Sequence, residues 1–470
     1  MLFNSYGFIF LFLPVALLGY FGLNHFKQIT LGKMWLIAAS LYFYSYWNIK
    51  NLPLLLTSIL VNYVIGQYLQ KDISWKKNLF RFGLVFNVGL LFFFKYAGLI
   101  GFAKIALPLG ISFFTLQQIG FLVDAYEGLT TEKSFLDYTV FVSFFPQLIS
   151  GPIGHFQHLM PQIENPENKR FNIDQFSLGL FVFCLGLTKK VLISEAFASW
   201  AKPGFEAGAT LDFLAAWKTS LSYTFQLYYD FSGYTDMAIG IGHMFNVKLP
   251  HNFNSPFRSK SVIEFWSRWH MTLSQFINTY VFTPLVRAMP KITFRNTMIA
   301  TFLAMFIAGV WHGAGWTFVV YGAIHGAALV MNHIRKKKKK KFPGWLAWLL
   351  TFNFINVSFV IFRAHEMGDA LRVLKGMLGF NGVVIPRIGI KSVGALKDFG
   401  FKVGSYLYPD DYFLIVMFIG VFWAIHKLHN TSELEKTFKP QTKVAMACGI
   451  AFVLCLFGMN RITEFIYFNF

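Results

Sequence analysis

Charged side chains are scarce in this 470-residue chain, where Asp, Glu, Lys and Arg together make up only 14% of the residues. A soluble domain carries about a quarter, so the composition excludes an ordinary globular enzyme. Hydrophobic residues reach 55% and the mean hydropathy is +0.49. Among the charged residues, the acidic ones are the minority, with 22 against 42 basic residues. The resulting net charge of +20 therefore needs an explanation.

Sequence features that would indicate metal or disulfide chemistry are also missing. The three cysteines, Cys184, Cys448 and Cys455, lie in apolar stretches, and an odd number there indicates packing. No His-Glu-x-x-His motif is present, and His155 and His158 have no evident third ligand. No metal site is predicted. The apolar first segment lacks a basic n-region and a small-residue cleavage site, so it is predicted to be a retained helix.

Long stretches without any charge are what the chain has instead. They run over 5–23, 34–49, 52–69, 82–94, 107–123, 138–154, 297–315, 316–332, 346–362, 412–425 and 444–459. About 20 apolar residues cross a hydrocarbon core, and continuous runs favour helices over a membrane barrel. We predict an all-α polytopic transmembrane bundle with about 11 spanning helices plus re-entrant helices, forming one membrane-embedded domain over 1–470. The mixed segment 364–411 is predicted to be an extended loop.

The basic residues cluster between apolar stretches, with Arg335 and Lys336–Lys341 the longest run. Cytoplasmic loops of membrane proteins carry an excess of Lys and Arg. We therefore expect these residues to fix topology in a bilayer and not to bind nucleic acid. Counting apolar segments from these loops places both termini on the extracytoplasmic side, including the tail 461–470.

Residues 223–316 differ from the rest because polar groups stand among aromatic ones. Ionisable groups at membrane depth usually line a functional cavity, although a satisfied polar network that locks helices together is the alternative. Two histidines flanked by tryptophans, His270 and His312, are the candidate catalytic residues. The candidate substrate-binding residues are Asp230, Asn252, Arg258, Trp266, Arg268 and Trp311.

Five segments resemble the membrane-bound O-acyltransferase family, in its bacterial polysaccharide-acetylating branch. They are Phe-Pro-Gln-Leu-Ile-Ser-Gly-Pro-Ile (145–153), Asp-Phe-Ser-Gly-Tyr-Thr-Asp-Met-Ala (230–238), Asn-Phe-Asn-Ser-Pro-Phe (252–257), Phe-Trp-Ser-Arg-Trp-His-Met-Thr-Leu-Ser (265–274) and Gly-Val-Trp-His-Gly (309–313). The resemblance implies a bundle around a central tunnel in the bacterial inner membrane. It implies that His312 is the essential histidine and His270 a second active-site residue. It also implies acetyl-CoA as the donor substrate, with no bound cofactor, and an extracytoplasmic serine-hydrolase-like partner.

The chain ends in an aromatic tail, Glu-Phe-Ile-Tyr-Phe-Asn-Phe (464–470). Its Phe-x-Tyr-x-x-Phe pattern resembles a C-terminal motif of these acylation systems, in which the tyrosine is proposed as a transient acyl carrier. By that resemblance Tyr467 is a third catalytic candidate. An aromatic belt at the membrane interface is the alternative.

Several questions stay open at the level of sequence. Arg258, Lys260 and Arg268 are expected to bind CoA phosphates, because arginine forks match phosphate geometry, or else to anchor a loop. The sequence does not identify the acceptor glycan, and transfer of a D-alanyl or another acyl group is an alternative to acetyl transfer. A transporter whose histidines relay protons, or a scaffold that exports polymer without chemistry, would be a different class of protein.

Overall fold

A computed structural model describes residues 1–470 except 98–106, 132–133, 207, 209, 388–401, 407–408 and 460–470. Helices dominate the described part. They are α1 (Phe8–His25), α2 (Ile29–Ser45), α3 (Leu52–Leu69), α4 (Lys76–Tyr96), α5 (Ile111–Tyr126), α6 (Phe135–Ser143), α7 (Phe145–Leu148), α8 (Phe156–Glu164), α9 (Ile173–Phe205), α10 (Phe213–Met244), α11 (Val262–Trp266), α12 (Met271–Ile277), α13 (Thr283–Arg287), α14 (Phe294–His312), α15 (Trp316–Lys337), α16 (Gly344–Arg363), α17 (Met367–Met377), α18 (Pro409–Lys427), α19 (Thr431–Thr437) and α20 (Thr442–Gly458).

The polytopic helical architecture predicted from the sequence is confirmed. Eight helices in the described ranges are long and apolar enough to cross a membrane: α1, α3, α4, α9, α14, α15, α16 and α18. The sequence predicted about 11 because an uncharged stretch does not have to be one helix. Residues 138–154 form the end of α6, the whole of α7 and a loop, and α5 has only 16 residues.

The centre of the bundle is α10, a 32-residue helix that is buried along most of its length. It packs closely against α9, and facing glycines allow the two backbones to approach. A Cβ on Gly186 would stand 2.6 Å from the carbonyl oxygen of Gly233, and one on Gly179 would stand 2.5 Å from that of Gly240. Small residues at helix contacts are typical of membrane bundles, and here they bring the polar segment 226–236 into the interior.

One end of the bundle carries many of the basic residues, and we call it the basic face. Four contacts connect the helix ends on this face. Arg287 pairs with Glu127 at 3.4 Å, and Lys337 lies over the ring of Phe294 at 4.2 Å. Lys76 lies over the ring of Tyr126 at 5.5 Å, and Arg258 donates to the carbonyl oxygen of Leu428 at 2.6 Å. The end of α5, the start of α14 and the ends of α15 and α18 therefore lie on this face.

The segment 364–411 is more ordered than the extended loop predicted from its composition. It contains α17 and two short strands, β1 (Val384–Arg387) and β2 (Lys402–Tyr406), which pair in parallel. The indole nitrogen of Trp217 donates a hydrogen bond to the carbonyl oxygen of Met377 at 3.1 Å and fixes α17 against α10. This two-stranded sheet is an exception to the all-α prediction.

Candidate active site

His312 is the last residue of α14, and only 4% of its surface is exposed. Aromatic rings surround its imidazole: Trp311 at 4.8 Å, Phe362 at 5.2 Å and Tyr321 at 6.1 Å between ring centroids. Gly309, one turn earlier, packs against α15, because a Cβ there would stand 2.4 Å from the Cα atom of Gly322. Close packing of α14 against α15 therefore accounts for a glycine at this position.

The end of α4 holds the end of α14 in place. The ammonium of Lys95 donates to the carbonyl oxygen of Trp311 and to that of His312, the latter at 3.2 Å. The hydroxyl of Tyr96 donates to the carbonyl oxygen of Val310. The last carbonyls of a helix lack partners within the helix, and a cation there is favourable. These contacts fix the position of His312, and no sequence motif indicated Lys95.

A small cavity of about 20 Å³ lies beside His312. Its lining includes Lys95, Ser112, Phe113, Ser150, Trp311 and His312. Ligand sites are commonly several hundred Å³, so this cavity is smaller than a typical ligand site.

His270 occupies a strained position in the interior. Its backbone is left-handed, with φ of 43° and ψ of 54°, immediately before α12. Such a conformation costs about 1–3 kcal/mol for a residue with a side chain and persists only where its surroundings impose it. The imidazole is fully buried and meets the edge of Phe231 at 4.8 Å between centroids.

Asn252 imposes that conformation. Its side-chain oxygen accepts hydrogen bonds from the backbone nitrogen of Thr272 at 3.2 Å and from the Thr272 hydroxyl at 2.6 Å. It also lies 3.3 Å from Nδ1 of His270, and its backbone oxygen accepts from the nitrogen of Met271 at 2.9 Å. Asn252 thus contacts His270 and the start of α12, and its predicted binding of substrate stays a prediction.

The two histidines predicted to share a site do lie near each other. The ring of Phe113 is 6.5 Å from that of His270 and 6.0 Å from that of Trp311. Phe113 and Trp311 both line the cavity beside His312. We call His270, His312, Asn252 and the cavity beside His312 the histidine site.

A third buried imidazole, that of His325, was not predicted from the sequence. It accepts a hydrogen bond at Nδ1 from the indole nitrogen of Trp266 at 3.1 Å, and its ring lies 4.4 Å from that of Tyr321. Tyr321 in turn contacts His312. His325 and Tyr321 are four residues apart and so share one face of α15. This spacing was the one sequence feature that could have indicated His325. Trp266, predicted to bind substrate, is thereby engaged with His325.

The sequence profile of the membrane-bound O-acyltransferase family matches residues 41–365, which include both histidines. The chain belongs to the membrane-bound O-acyltransferase family. It is therefore a multi-pass membrane acyltransferase.

The relatives of the chain are named for three different polymers. The chain is 41% identical to the peptidoglycan O-acetyltransferase of Helicobacter pylori, over 100% of this chain and 98% of that protein. It is 35% identical to a protein of Azotobacter vinelandii named "Probable alginate O-acetylase AlgI", over 81% of this chain and 78% of that protein. It is 31% identical to the teichoic acid D-alanyltransferase of Bacillus subtilis, over 54% and 68%.

The basic residues expected to bind CoA phosphates have contacts within this acyltransferase. The guanidinium of Arg258 donates to the carbonyl oxygens of Ile425 and Leu428, at the end of α18. Arg268 pairs with Glu264 at 3.0 Å. These contacts favour the alternative of loop anchoring, and phosphate binding by Arg258 and Arg268 stays a prediction.

Asp230 lies in a second polar group, which we call the ion-pair cluster. Asp230 pairs with Lys190 where both side chains are almost fully buried. Asp236 accepts from Lys189 at 2.6 Å and from the hydroxyl of Thr431 at 2.7 Å. This arrangement matches the locked polar network considered as the alternative for Asp230, whose substrate binding stays a prediction.

Two remaining predictions concern the tail and metals. Tyr467 and the tail 461–470 lie outside the described residues. Within the described ranges, no group of three or more potential metal ligands comes together.

Proposed function

We propose that this acyltransferase moves an acetyl group from acetyl-CoA at the basic face to an acceptor on the opposite side of the membrane. The observation that supports the proposal most strongly is the histidine site itself, in a chain of this family. The buried imidazole of His312 lines a cavity, and the buried imidazole of His270 lies against Phe113, which lines the same cavity. Neutral imidazole is the usual base for a hydroxyl proton near neutral pH.

The proposed reaction at His312 is one acyl transfer. The imidazole takes the proton of the acceptor hydroxyl while the oxygen attacks the thioester carbonyl. The carbon–sulfur bond then breaks, and the imidazolium returns the proton to the departing thiolate. The products are the acetyl ester and free CoA, so the step needs no further reactant. His270, held by Asn252, orients the donor or the hydroxyl.

The proposed acceptor is a cell-wall glycan of the peptidoglycan type. The relative named for peptidoglycan aligns with this chain over nearly its whole length, whereas the alginate relative aligns over about four fifths. D-alanyl transfer is the second candidate, because a teichoic acid D-alanyltransferase aligns with about half of the chain.

Tyr467 is proposed as an acyl carrier between His312 and the acceptor. A phenol has a pKa of about 10, so its ester retains much of the activation of a thioester. An extracytoplasmic serine-hydrolase-like acetyltransferase would then take the acetyl group. Tyr467→Phe keeps the ring and deletes only the nucleophile. We expect this variant neither to release CoA from acetyl-CoA nor to acetylate the glycan, and full glycan acetylation by it would exclude the carrier role.

The proposed orientation puts the basic face in the cytoplasm of a bacterial inner membrane. The positive-inside rule supports this orientation, and it leaves both termini outside. Protease accessibility of the C-terminus in intact spheroplasts tests it, and a protected C-terminus would contradict both the orientation and the carrier role.

Radiolabelled donors test the proposed function as a whole. Protein in liposomes is given acetyl-CoA labelled in the acetyl group, and covalent label is measured on the protein and on an added glycan. An acyltransferase yields covalent product, whereas a transporter or a scaffold yields none. Label from a D-alanyl thioester in place of acetyl-CoA would favour the second candidate.

A further inference from the structure

Gln117 is buried on the inward side of α5 with 3% of its surface exposed. Among the residues that the structure describes, neither its amide nitrogen nor its amide oxygen has a hydrogen-bond partner. Buried amides are almost always hydrogen-bonded, and one that is not calls for an explanation.

The next residue shows what a structural glutamine looks like in the same place. Gln118 is fully buried and exchanges hydrogen bonds with the hydroxyl of Ser58 at 3.2 and 3.3 Å. The hydroxyl of Tyr138 is 3.5 Å from its amide oxygen. Gln118 holds α5 to α3, and Gln117 does nothing comparable.

Gln117 faces a small internal cavity that it shares with Gly120, Asp124, His155 and Tyr280. The hydroxyl of Tyr280 donates to Asp124 and lies against Nδ1 of His155, both at 3.0 Å. The cavity therefore has a polar wall at the end of α5 that reaches the basic face.

A larger opening of about 260 Å³ adjoins this cavity, and we call it the vestibule. Ile153, Gly154 and His155 line both spaces. The rim of the vestibule includes His158, Gln162, Lys248 and His251, and the imidazole of His251 is paired with Glu435 at 2.8 Å. The side chain of Lys248 is exposed to solvent there.

Toward the interior, an apolar cluster separates Gln117 from His312. Its buried members are Phe113, Leu116, Ile153, Leu273, Phe276 and Trp311. Phe113 and Trp311 also line the cavity beside His312. Along α5, Asp124 near the vestibule, Gln117 and Phe113 therefore follow one line. At a helical rise of 1.5 Å per residue, the distance from Asp124 to Phe113 along this line is roughly 16 Å.

We infer that this line admits the pantetheine arm of the acyl donor and that Gln117 recognises an amide of that arm. The inference rests on the proposed function. A pantetheine thioester is a narrow chain with two secondary amides between its phosphate end and its sulfur. A glutamine side chain offers one acceptor and two donor hydrogens, so it pairs with such an amide as both donor and acceptor. Lys248 at the rim then faces the phosphates of CoA.

Three donors separate the parts of this assignment: acetyl-CoA, acetyl-pantetheine without phosphates, and S-acetyl-2-mercaptoethanol without amides. Gln117→Leu should raise KM by about 5- to 10-fold for the first two, as one or two lost hydrogen bonds would, and should leave use of the third unchanged. Lys248→Met should raise KM for acetyl-CoA alone.

Gln118→Leu is the matched control. It should lower the melting temperature, because it leaves Ser58 without its partner, and should leave every KM as in the wild type. Gln117→Leu should melt no lower than the wild type, since it removes an amide without a partner.

Four results would overturn the inference. One is an unchanged KM of Gln117→Leu for acetyl-pantetheine, and another is an equal loss on all three donors, which indicates a structural role. A third is an unchanged KM of Lys248→Met for acetyl-CoA, which would show that the donor does not enter through the vestibule. A wild-type protein that transfers acetyl from none of the thioesters would overturn the proposed function as well, so the two failures are distinguishable.

Discussion

The ion-pair cluster and the histidine site are both polar groups buried in the same helical bundle, yet they differ in how their polar atoms are used. In the ion-pair cluster, Asp230 and Asp236 each meet a lysine, and Asp236 also meets Thr431. In the histidine site, the imidazole of His312 lines a cavity, and His270 has a left-handed backbone conformation. Burial alone therefore does not mark a functional residue in this protein. What a buried polar group contacts, an oppositely charged side chain or a cavity, distinguishes a structural role from a functional one.

The variant with the largest expected effect disrupts the ion-pair cluster. Lys190→Met leaves Asp230 charged and buried, which typically costs about 3–5 kcal/mol. We expect a matching fall in the free energy of unfolding, measured by denaturation in detergent micelles. Lys189→Met is the control, because Lys189 is 20% exposed, and its cost should be smaller. Equal stability of Lys190→Met and wild type would contradict the role of the cluster.

A second variant acts on the histidine site without touching an imidazole. Asn252→Ala removes the acceptor that Thr272 and His270 share, so the His270 ring should lose its orientation. Misplacement of a reacting group can cost about 100-fold, and we expect kcat to fall by about that factor. Asn246→Ala is the comparison: its amide donates to the carbonyl oxygens of Asn168 and Arg170, so stability should fall while kcat holds. A wild-type kcat in Asn252→Ala would show that His270 needs no positioning.

The two adjacent glutamines of α5 sharpen the same comparison at a smaller scale. Gln118→Leu should lower the free energy of unfolding by about 1–3 kcal/mol, because a buried hydroxyl loses its partner. Gln117→Leu should be neutral or stabilising. Chemical denaturation of the two variants in parallel measures the difference, and a larger loss for Gln117→Leu would reverse the argument.

The smallest effect concerns pH at the basic face. Burial opposes a charge on Glu435, but hydrogen bonds with His243 and His251 outweigh burial and hold the pKa of Glu435 well below its ordinary value. Its contribution to stability is therefore complete above the ordinary carboxyl pKa of about 4.3 and is lost as pH falls through the lowered pKa.

Melting temperatures at pH 7 and below pH 4 measure the contribution of Glu435. Glu435→Gln should be less stable than the wild type at pH 7, and the difference should shrink in acid. Glu167→Gln, at an exposed position, should follow the wild type. A pH-independent difference for Glu435→Gln would contradict the linkage.

The sequence predicted the membrane class and the meeting of His270 with His312, because uncharged runs and contiguous motifs are local properties. It did not predict the partners. Lys95 contacts residues more than 200 positions away, and Asp230 meets a lysine 40 positions earlier only because α9 lies along α10. Gln117 and Gln118 are identical letters side by side, and only packing against Ser58 distinguishes them.

The account depends most on His312, and one paired measurement tests it: the rate of acetyl transfer and the melting temperature of His312→Ala beside the wild type. Loss of a general base typically costs about 100- to 10,000-fold in rate. We expect a loss in that range with an unchanged melting temperature. A wild-type rate in His312→Ala would contradict the central claim, and a rate lost together with the folded state would assign His312 to structure instead.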